Sequence, residues 1–257
     1  MRRVSLLLVG VLALPIPGAG RALQPGDGYT VVGTYPHDEN AFTQGFDFWK
    51  KKLFEGTGLY GESTLRRVSL LTGNVKRQVE LDEEYFGEGI TVRGDRVFQL
   101  TWQEEVAFVY DRATFDQKRT FSYEGEGWGL THNRRRLIMS NGSDRILFRD
   151  PRTFKVKRNV SVTFEDEPVS NLNELEWVKG EILSNQFMTD YIYRIDPDTG
   201  EVLRRYDFTA LHAQENTYGP TDVLNGIAYR APGERLFITG KNWRHVYEIT
   251  LEGVNDN

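Results

Sequence analysis

The stretch FGEGITVRGDRVFQLTW, residues 86–102, holds an acidic residue between two glycines inside an otherwise apolar run. Glu88 lies near its start, and a second apolar run ends at Trp102 after a polar turn. Two apolar runs of this length around a polar turn are typical of a β-hairpin. The stretch therefore predicts two antiparallel strands, with a carboxyl group at the start of the first strand.

The same pattern occurs five times along the chain, at intervals of 40 to 52 residues. The five strand starts read FTQGF (42–46), FGEGI (86–90), EGWGL (126–130), NLNEL (171–175) and VLNGI (223–227). Units of about four short strands at this period predict an all-β fold, a five-bladed β-propeller. An N-terminal strand in YTVVGTYPH (29–37) is predicted to close the last blade. A β-sandwich or two small barrels are the alternatives, but neither explains a fivefold spacing.

The first residues differ in composition from the repeats. Arg2 and Arg3 precede the apolar run VSLLLVGVLALPIP, and small residues follow it. This order is typical of a secretory signal peptide. The alternative is a membrane anchor, but prolines interrupt the run before the roughly 20 apolar residues that a span needs. We predict a signal peptide over residues 1–23 and a single catalytic propeller domain over residues 24–257, periplasmic or secreted.

Composition narrows the classes of partner. The chain has 37 acidic and 32 basic side chains, a formal net charge of -5, and no cysteine. Because no long basic run is present, the sequence predicts no nucleic-acid partner. Without cysteine there are no disulfides, so the core alone must stabilise the fold. We expect a monomer that has no membrane association once the signal peptide is removed.

Side chains at the third position of each repeat are expected to point the same way, because side chains alternate between the faces of a strand. Four of the five are polar and one is an indole, whereas a purely structural inner strand would hold small or aliphatic groups. These residues are Gln44, Glu88, Trp128, Asn173 and Asn225. This first column predicts a functional site at one end of the propeller channel.

The ends of the second strands are predicted to surround the same site, because a hairpin returns the chain to the edge where it began. The residues there are Glu55, Trp102, Asn141, Phe187 and Lys241. We interpret Glu55 and Asn141 as turn formers at strand ends. Trp102 and Lys241 are interpreted as functional. Glu88 and Trp128 of the first column are interpreted in the same way.

Several motifs, taken in order, resemble a known enzyme family. Between Tyr29 and Ile249 they read YPHDENAFTQGF, EGTGLYGESTLR, FGEGIT, QLTW, EGWGLT, LNELE, LNGIAY and TGKNW. Over this length the chain is similar to the plant and bacterial type of glutaminyl-peptide cyclotransferase. The resemblance implies a five-bladed propeller acting on peptides or proteins that begin with glutamine. Such an acyltransferase converts this residue to pyroglutamate with release of ammonia, and does not use the zinc of animal-type enzymes.

The resemblance also implies roles for individual residues. The acid/base glutamate of the family corresponds to Glu88, and the other predicted catalytic side chains are Lys241 and Asn173. The predicted substrate-binding residues are Phe42, Gln44, Phe86, Trp102, Trp128 and Phe187. Two positions depart from the family pattern: Phe187, in NQFMTD, stands where a Trp is usual, and Asn141, in SNGS, stands where an Asp is common. The first departure changes the aromatic wall of the expected pocket.

The reaction accounts for these residue types. The α-amine of the substrate attacks its own γ-carboxamide, so the enzyme must hold one side chain curled and move one proton. A carboxylate can take the proton from the amine and return it to the leaving nitrogen. Asn173, Gln44 and Lys241 all remain candidates for binding the developing oxyanion.

Neither a metal nor a cofactor is predicted. The four histidines are never at ligand spacing, which gives a zinc site little support. Two other classes of protein stay open at this point: a non-catalytic propeller that binds peptides or glycans, and a metal-dependent propeller lactonase or lyase. Activity of a charge-neutral variant of Glu88 separates the first of these from the enzyme.

Overall fold

The computed structural model describes residues 28–254, apart from positions 216 and 218. Its sheets are five four-stranded antiparallel sheets, arranged as the five blades of a propeller, and one small hairpin. This confirms the predicted all-β, five-bladed fold. The predicted signal peptide, residues 1–23, lies outside the described residues and stays a prediction. No helix of the described part is long and apolar enough to cross a membrane.

The strands are short and follow one another with few interruptions. In chain order they are β1 (Tyr29–Pro36), β2 (Thr43–Trp49), β3 (Lys52–Thr57), β4 (Thr64–Val68), β5 (Val75–Glu80), β6 (Gly87–Arg93), β7 (Arg96–Thr101), β8 (Val106–Asp111), β9 (Gln117–Ser122), β10 (Leu130–His132), β11 (Leu137–Ser140), β12 (Arg145–Arg149), β13 (Val156–Ser161), β14 (Thr163–Phe164), β15 (Glu167–Pro168), β16 (Leu172–Val178), β17 (Glu181–Gln186), β18 (Tyr191–Ile195), β19 (Val202–Asp207), β20 (Leu224–Arg230), β21 (Arg235–Gly240) and β22 (His245–Leu251). One short helix, α1 (Thr209–His212), follows β19.

Each blade takes four consecutive strands, with one exception. Blades one to four are β2–β5, β6–β9, β10–β13 and β16–β19, and blade five is β20–β22 with β1 as its outermost strand. Strand β1 runs antiparallel to β22, from the pair Tyr29 and Leu251 to the pair Pro36 and His245. The predicted closure of the last blade by the N-terminal strand is therefore confirmed.

The hydrophobic core is divided among the junctions between blades. Five clusters of buried apolar side chains each join two neighbouring blades around the ring. Between blades one and two, for example, Phe54 packs in the same cluster as Ile90. Between blades five and one, Phe237 packs with Phe46 and Phe48. Apolar packing thus joins every blade to both of its neighbours, and this holds the inner strands around the central channel.

The glycines on either side of Glu88 let neighbouring backbones approach the start of β6. A Cβ on Gly87 would lie 2.7 Å from the carbonyl oxygen of Thr57 in blade one, and a Cβ on Gly89 would lie 2.5 Å from the backbone nitrogen of Leu130 in blade three. Both distances are shorter than non-bonded atoms allow, so any side chain would push the blades apart. The two glycines therefore hold Glu88 at the point where three blades meet.

A buried carboxyl joins the inner strands of blades four, one and five beside the channel. Glu174 of blade four accepts hydrogen bonds from the backbone nitrogens of Phe46 in blade one, at 3.3 Å, and Ile227 in blade five, at 2.8 Å. Burial raises the pKa of Glu174 well above its usual range, and these two donors oppose that rise. The side chain links inner strands that are distant in sequence.

Asp47 gives the fold a dependence on pH. Its carboxyl is buried and accepts hydrogen bonds from Val92 N at 2.6 Å and Thr91 Oγ1 at 3.2 Å. Burial raises its pKa to about 7, although these donors oppose the rise. In the unfolded chain the pKa is about 3.9, so between about pH 4 and 7 the folded state binds more protons. The free energy of unfolding therefore falls as pH rises through this window.

We expect the protein to unfold at a lower temperature at pH 8 than at pH 5, with about 1–4 kcal/mol of stability lost through Asp47. Asp47→Asn keeps an acceptor oxygen but removes the ionisation, so its melting temperature should change less between the two pH values. Asp95→Asn, at an exposed carboxylate, is the matched control. An Asp47→Asn protein with the wild-type pH profile would contradict this assignment.

Candidate active site

A cavity of about 330 Å³ opens at one end of the channel, where the inner strands of the blades begin. Of the eleven residues in its wall, five are aromatic, five are polar and one is a leucine. The lining residues are Phe42, Gln44, Leu59, Phe86, Glu88, Trp102, Trp128, Asn173, Phe187, Thr221 and Lys241. All nine residues that the sequence predicted as catalytic or substrate-binding lie in this wall. The structure places them together, and their chemical roles stay predictions.

Two kinds of segment carry the lining side chains. Gln44, Glu88 and Asn173 are the second residues of inner strands β2, β6 and β16. The others lie in loops at the same end of the blades, just outside the strands. Because the inner strands are held by the junctions between blades, the three polar side chains have fixed positions.

The aromatic wall consists of two groups of rings. Phe86 contacts Phe42 and Trp102 edge-on, with ring centroids 6.3 and 5.6 Å apart. On another side, Trp128 and Phe187 meet at right angles with centroids 5.6 Å apart. Such edge-to-face pairs are favourable geometries for aromatic rings. Phe187, the residue that departs from the family pattern, thus still supplies an aromatic ring to the wall.

Glu88 is buried at the bottom of this wall and is only partly hydrogen-bonded. Its Oε1 accepts a hydrogen bond from Gln44 Nε2 at 3.1 Å. Its Oε2 has no hydrogen-bond partner among the described residues. Burial raises the pKa of Glu88 well above the usual range, the Lys241 ammonium opposes this, and the carboxylates of Glu126 and Glu104 add to it. The carboxyl therefore holds its proton to a higher pH than an exposed glutamate does.

Lys241 is the cation of the cavity. Its Nζ lies 4.5 Å from the ring centroid of Phe42 and 4.8 Å from that of Phe187, a distance at which rings attract a cation. Burial lowers its pKa to about 8, and the nearby Glu88 opposes this. No carboxylate of the described residues lies within 4.0 Å of Nζ. Its N–H groups therefore stay available to a ligand in the cavity.

The remaining polar groups present both acceptors and donors. Asn173 Oδ1 is buried and has no hydrogen-bond partner among the residues described. Gln44 is held from behind by Asn225, whose Nδ2 donates to Gln44 Oε1 at 3.3 Å and to the carbonyl oxygen of Thr43 at 2.9 Å. Asn225, the fifth residue of the first column, therefore supports the wall without lining it.

Two residues of the second column have other positions. Glu55 is fully buried in strand β3 and accepts hydrogen bonds from Arg66 Nε at 2.8 Å and Thr43 Oγ1 at 2.7 Å. It also lies 2.8 Å from His37 Nε2. The interpretation of Glu55 as a turn former is thus wrong, because the strand continues through it and its carboxyl is bonded to side chains from outside that strand. Asn141 does lie in a turn, where its Oδ1 accepts from Ser143 Oγ at 2.6 Å.

Sequence reasoning did not single out three residues at this site. Leu59 and Thr221 line the cavity from irregular loops, which carry no periodic signal. Glu126 contacts the indole nitrogens of Trp102 and Trp128 from outside the wall. Glu126 is the first residue of the third repeat, EGWGL. Comparing the first residues of the five repeats could therefore have indicated it.

The described residues offer no group of three or more His, Asp or Glu side chains that could hold a metal ion. In the cavity itself the acidic lining is Glu88 alone. A single carboxylate beside a lysine is a poor donor set for a divalent cation, which prefers several oxygen or imidazole ligands. What the site does offer is a buried carboxyl, a lysine and an aromatic wall.

Comparisons with known proteins agree on one family. The sequence model of the glutamine cyclotransferases matches residues 7–251. A glutaminyl-peptide cyclotransferase of Arabidopsis thaliana is 38% identical over 226 residues, which cover 86% of this chain and 71% of that protein. The crystal structure of Myxococcus xanthus glutaminyl cyclase is similar with a TM-score of 0.82 at 36% identity, covering 87% of this chain and 96% of that one.

A more distant likeness concerns the fold alone. The WD40 β-propeller domain of Doa1 matches with a TM-score of 0.50 at 11% identity, covering 81% of this chain and 63% of that one. At this identity the match supports the propeller architecture without bearing on the site.

Proposed function

The chain belongs to the glutamine cyclotransferase family, and we propose that it converts the N-terminal glutamine of peptides or proteins to pyroglutamate with release of ammonia. The proposal includes a metal-independent mechanism in which Glu88 moves the proton. It also assigns binding of the developing negative charge to Lys241, and orientation of the substrate to Asn173 and the aromatic wall.

The observation that carries the proposal is a pair of unused acceptors. Glu88 Oε2 and Asn173 Oδ1 are both buried and have no hydrogen-bond partner among the described residues, and both side chains line the cavity. A buried acceptor without a donor is costly. A glutamine N-terminus brings two donor groups, the α-amine and the carboxamide NH₂, separated by a short apolar chain. It thus matches both the polar atoms and the aromatic surface between them.

The aromatic wall supports ring closure. Trp102, Trp128 and Phe187 present flat apolar surfaces to the two methylene groups of the substrate side chain. Packing there favours a curled side chain, in which the amine lies close to the carboxamide carbon. Because both reacting groups belong to one residue, this positioning removes much of the entropic barrier.

Glu88 moves one proton through the reaction. As the α-nitrogen forms its bond to the carboxamide carbon, Glu88 takes a proton from it. As the carbon–nitrogen bond of the carboxamide breaks, Glu88 returns that proton to the leaving nitrogen, so ammonia departs and the carboxyl regains its starting state. Burial raises the pKa of Glu88, which makes the return step easier than it would be for an ordinary carboxylate.

Lys241 is the residue that the geometry favours for the oxyanion. Gln44 already donates through Nε2 to Glu88, and the Asn173 amide is neutral, so it offsets less of the developing charge than an ammonium does. The ammonium of Lys241 lies over two rings of the wall and can donate to the carboxamide oxygen as it gains charge. Its charge also balances that of Glu88 when the carboxyl ionises.

Three properties outside the site belong to the same proposal. We propose that the enzyme is an acyltransferase and that it is a monomer. We also propose that residues 1–23 direct its export to the periplasm or medium and are then removed. N-terminal sequencing of the exported protein tests the last point, and an intact Met1 in active, exported protein would contradict it.

The proposed function is tested with a synthetic peptide that begins with glutamine. The full chain, treated exhaustively with a chelator, is expected to release one ammonia per peptide and to leave a pyroglutamyl product, detected by mass spectrometry. A peptide that begins with alanine is the control. Binding without turnover would favour a non-catalytic propeller. Activity that is lost on chelation and restored by one particular metal would favour a metal-dependent propeller enzyme.

A further inference from the structure

Two indoles of the cavity wall are tied to a single oxygen atom. Trp102 Nε1 donates to Glu126 Oε2 at 2.9 Å, and Trp128 Nε1 donates to the same oxygen at 2.8 Å. The second oxygen, Oε1, accepts from Gln103 Nε2 at 3.1 Å. Trp102 follows strand β7 in blade two, whereas Trp128 precedes β10 in blade three. The carboxylate therefore connects walls that belong to different blades.

Glu126 is itself held in place by its backbone. The next residue, Gly127, donates its N–H to the carbonyl oxygen of Trp102 at 2.9 Å. A Cβ at this glycine would lie 2.2 Å from Tyr123 Oη and 2.7 Å from the carbonyl oxygen of Thr101. The chain thus passes as close to blade two as a backbone can. A carboxylate on such a segment has little freedom, so the indoles that bind it are oriented by it.

We propose that Glu126 is a positioning residue for substrate binding, which sets the angle between Trp102 and Trp128 by accepting both indole N–H groups on one oxygen. This inference rests on the proposed function and extends it. Neither tryptophan has another polar group, so ring rotation about the side-chain bonds is limited by packing and by this contact. With the contact in place, the two faces lie ready for the methylene groups of the substrate before it arrives, which is how preorganisation improves binding.

The charge state of Glu126 suits this role. Burial alone would raise its pKa, but the hydrogen bonds from Trp128, Trp102 and Gln103 outweigh burial and lower the pKa below its usual value. The side chain is therefore ionised at neutral pH, and hydrogen bonds to an ionised acceptor are stronger than those between neutral groups.

The test compares two substitutions in the full chain. Glu126→Ala removes the acceptor, and we expect KM for a glutamine-initiated peptide to rise by about 10-fold, more than kcat falls. Glu126→Gln keeps one amide oxygen that can accept both indole N–H groups, so KM should return close to the wild-type value. Tryptophan fluorescence of the free protein should shift in Glu126→Ala and stay near wild type in Glu126→Gln.

A double-mutant cycle shows whether the effect passes through the indoles. In a Trp102→Phe, Trp128→Phe background the rings remain aromatic but have no N–H, so Glu126→Ala should produce no further rise in KM. Glu124→Ala, an exposed carboxylate two residues away, is the matched control and should behave as wild type.

Three outcomes would overturn the inference. They are a wild-type KM and fluorescence in Glu126→Ala, a Glu126→Gln protein as impaired as Glu126→Ala, and an equal effect of Glu126→Ala in the two backgrounds. A wild-type protein that turns over no glutamine peptide would instead refute the proposed function. In that case the fluorescence of the free variants still tests the contact.

Discussion

Replacing Glu88 by glutamine is expected to lower kcat by about 10²–10⁴-fold, the usual contribution of general acid–base catalysis. Glutamine has nearly the same size, and its amide oxygen can still accept the hydrogen bond that Gln44 donates to Glu88 at 3.1 Å. What it loses is the proton that must travel from the amine to the leaving nitrogen. Substrate binding, measured by KM or by calorimetry, should therefore change much less than turnover.

Stability provides the control for this variant. The buried Glu88 has one carboxyl oxygen without a partner among the described residues, an arrangement that costs folding free energy. The melting temperature of Glu88→Gln should thus equal or exceed that of the wild type, which separates a chemical defect from misfolding. Glu62→Gln, at an exposed carboxylate, should leave both kcat and stability unchanged. Near wild-type turnover by Glu88→Gln would show that the proton takes another route.

Removing strand β1 is expected to have the largest effect on the fold. A protein that begins at residue 37 lacks the outermost strand of blade five, so β22 loses one of its two ladder partners and becomes the edge of the sheet. Tyr29 is buried and stacks on Phe208 with ring centroids 4.2 Å apart, and Tyr35 donates to Glu248 at 2.8 Å. We expect the melting temperature to fall by at least about 10 °C, or the cooperative transition to disappear, with aggregation through the exposed edge.

The matched control is a protein that begins at residue 28, which keeps β1 intact and should melt like the full chain. A synthetic peptide of residues 28–37 should bind the shorter protein and raise its melting temperature. If the protein that begins at residue 37 melts like the one that begins at residue 28, β1 does not contribute to stability and other contacts close the ring.

The sequence was sufficient for the architecture because the repeat is visible in the residues themselves. Five strand starts at similar intervals, preceded by one additional strand (β1), are compatible with few folds. The hairpin β14–β15 was not foreseen, because Thr163–Phe164 and Glu167–Pro168 are too short to show a period. Nor could the repeat reveal Glu174, which takes the position that glycine has in the other repeats. Its two backbone donors are more than 50 residues away in the chain.

At the site, the sequence indicated which side chains come together and left open what each is bonded to. The two columns follow from the alternation of side chains and from hairpin geometry, and both depend on strand direction alone. The contact of Asn225 with Gln44 instead joins blades five and one, and neither alternation nor hairpin geometry within one blade reports it. Glu55 was misread for a related reason, since nothing local shows that Arg66 and His37 converge on it.

The pairing of β1 with β22, which closes blade five, also governs how the molecule responds to force. Tyr29 pairs with Leu251, and the backbone nitrogen of Glu252 donates to the carbonyl oxygen of Gly28 at 2.9 Å, so both ends of the described chain meet at one corner. Tension applied between residues 28 and 254 would load the β1–β22 hydrogen bonds one after another, so that β1 separates from β22 progressively from this corner. Pulling between residue 28 and the opposite end of β22 would load the whole ladder at once, in shear. Optical tweezers should therefore record a low opening force in the first geometry and a high one in the second, from the same set of hydrogen bonds.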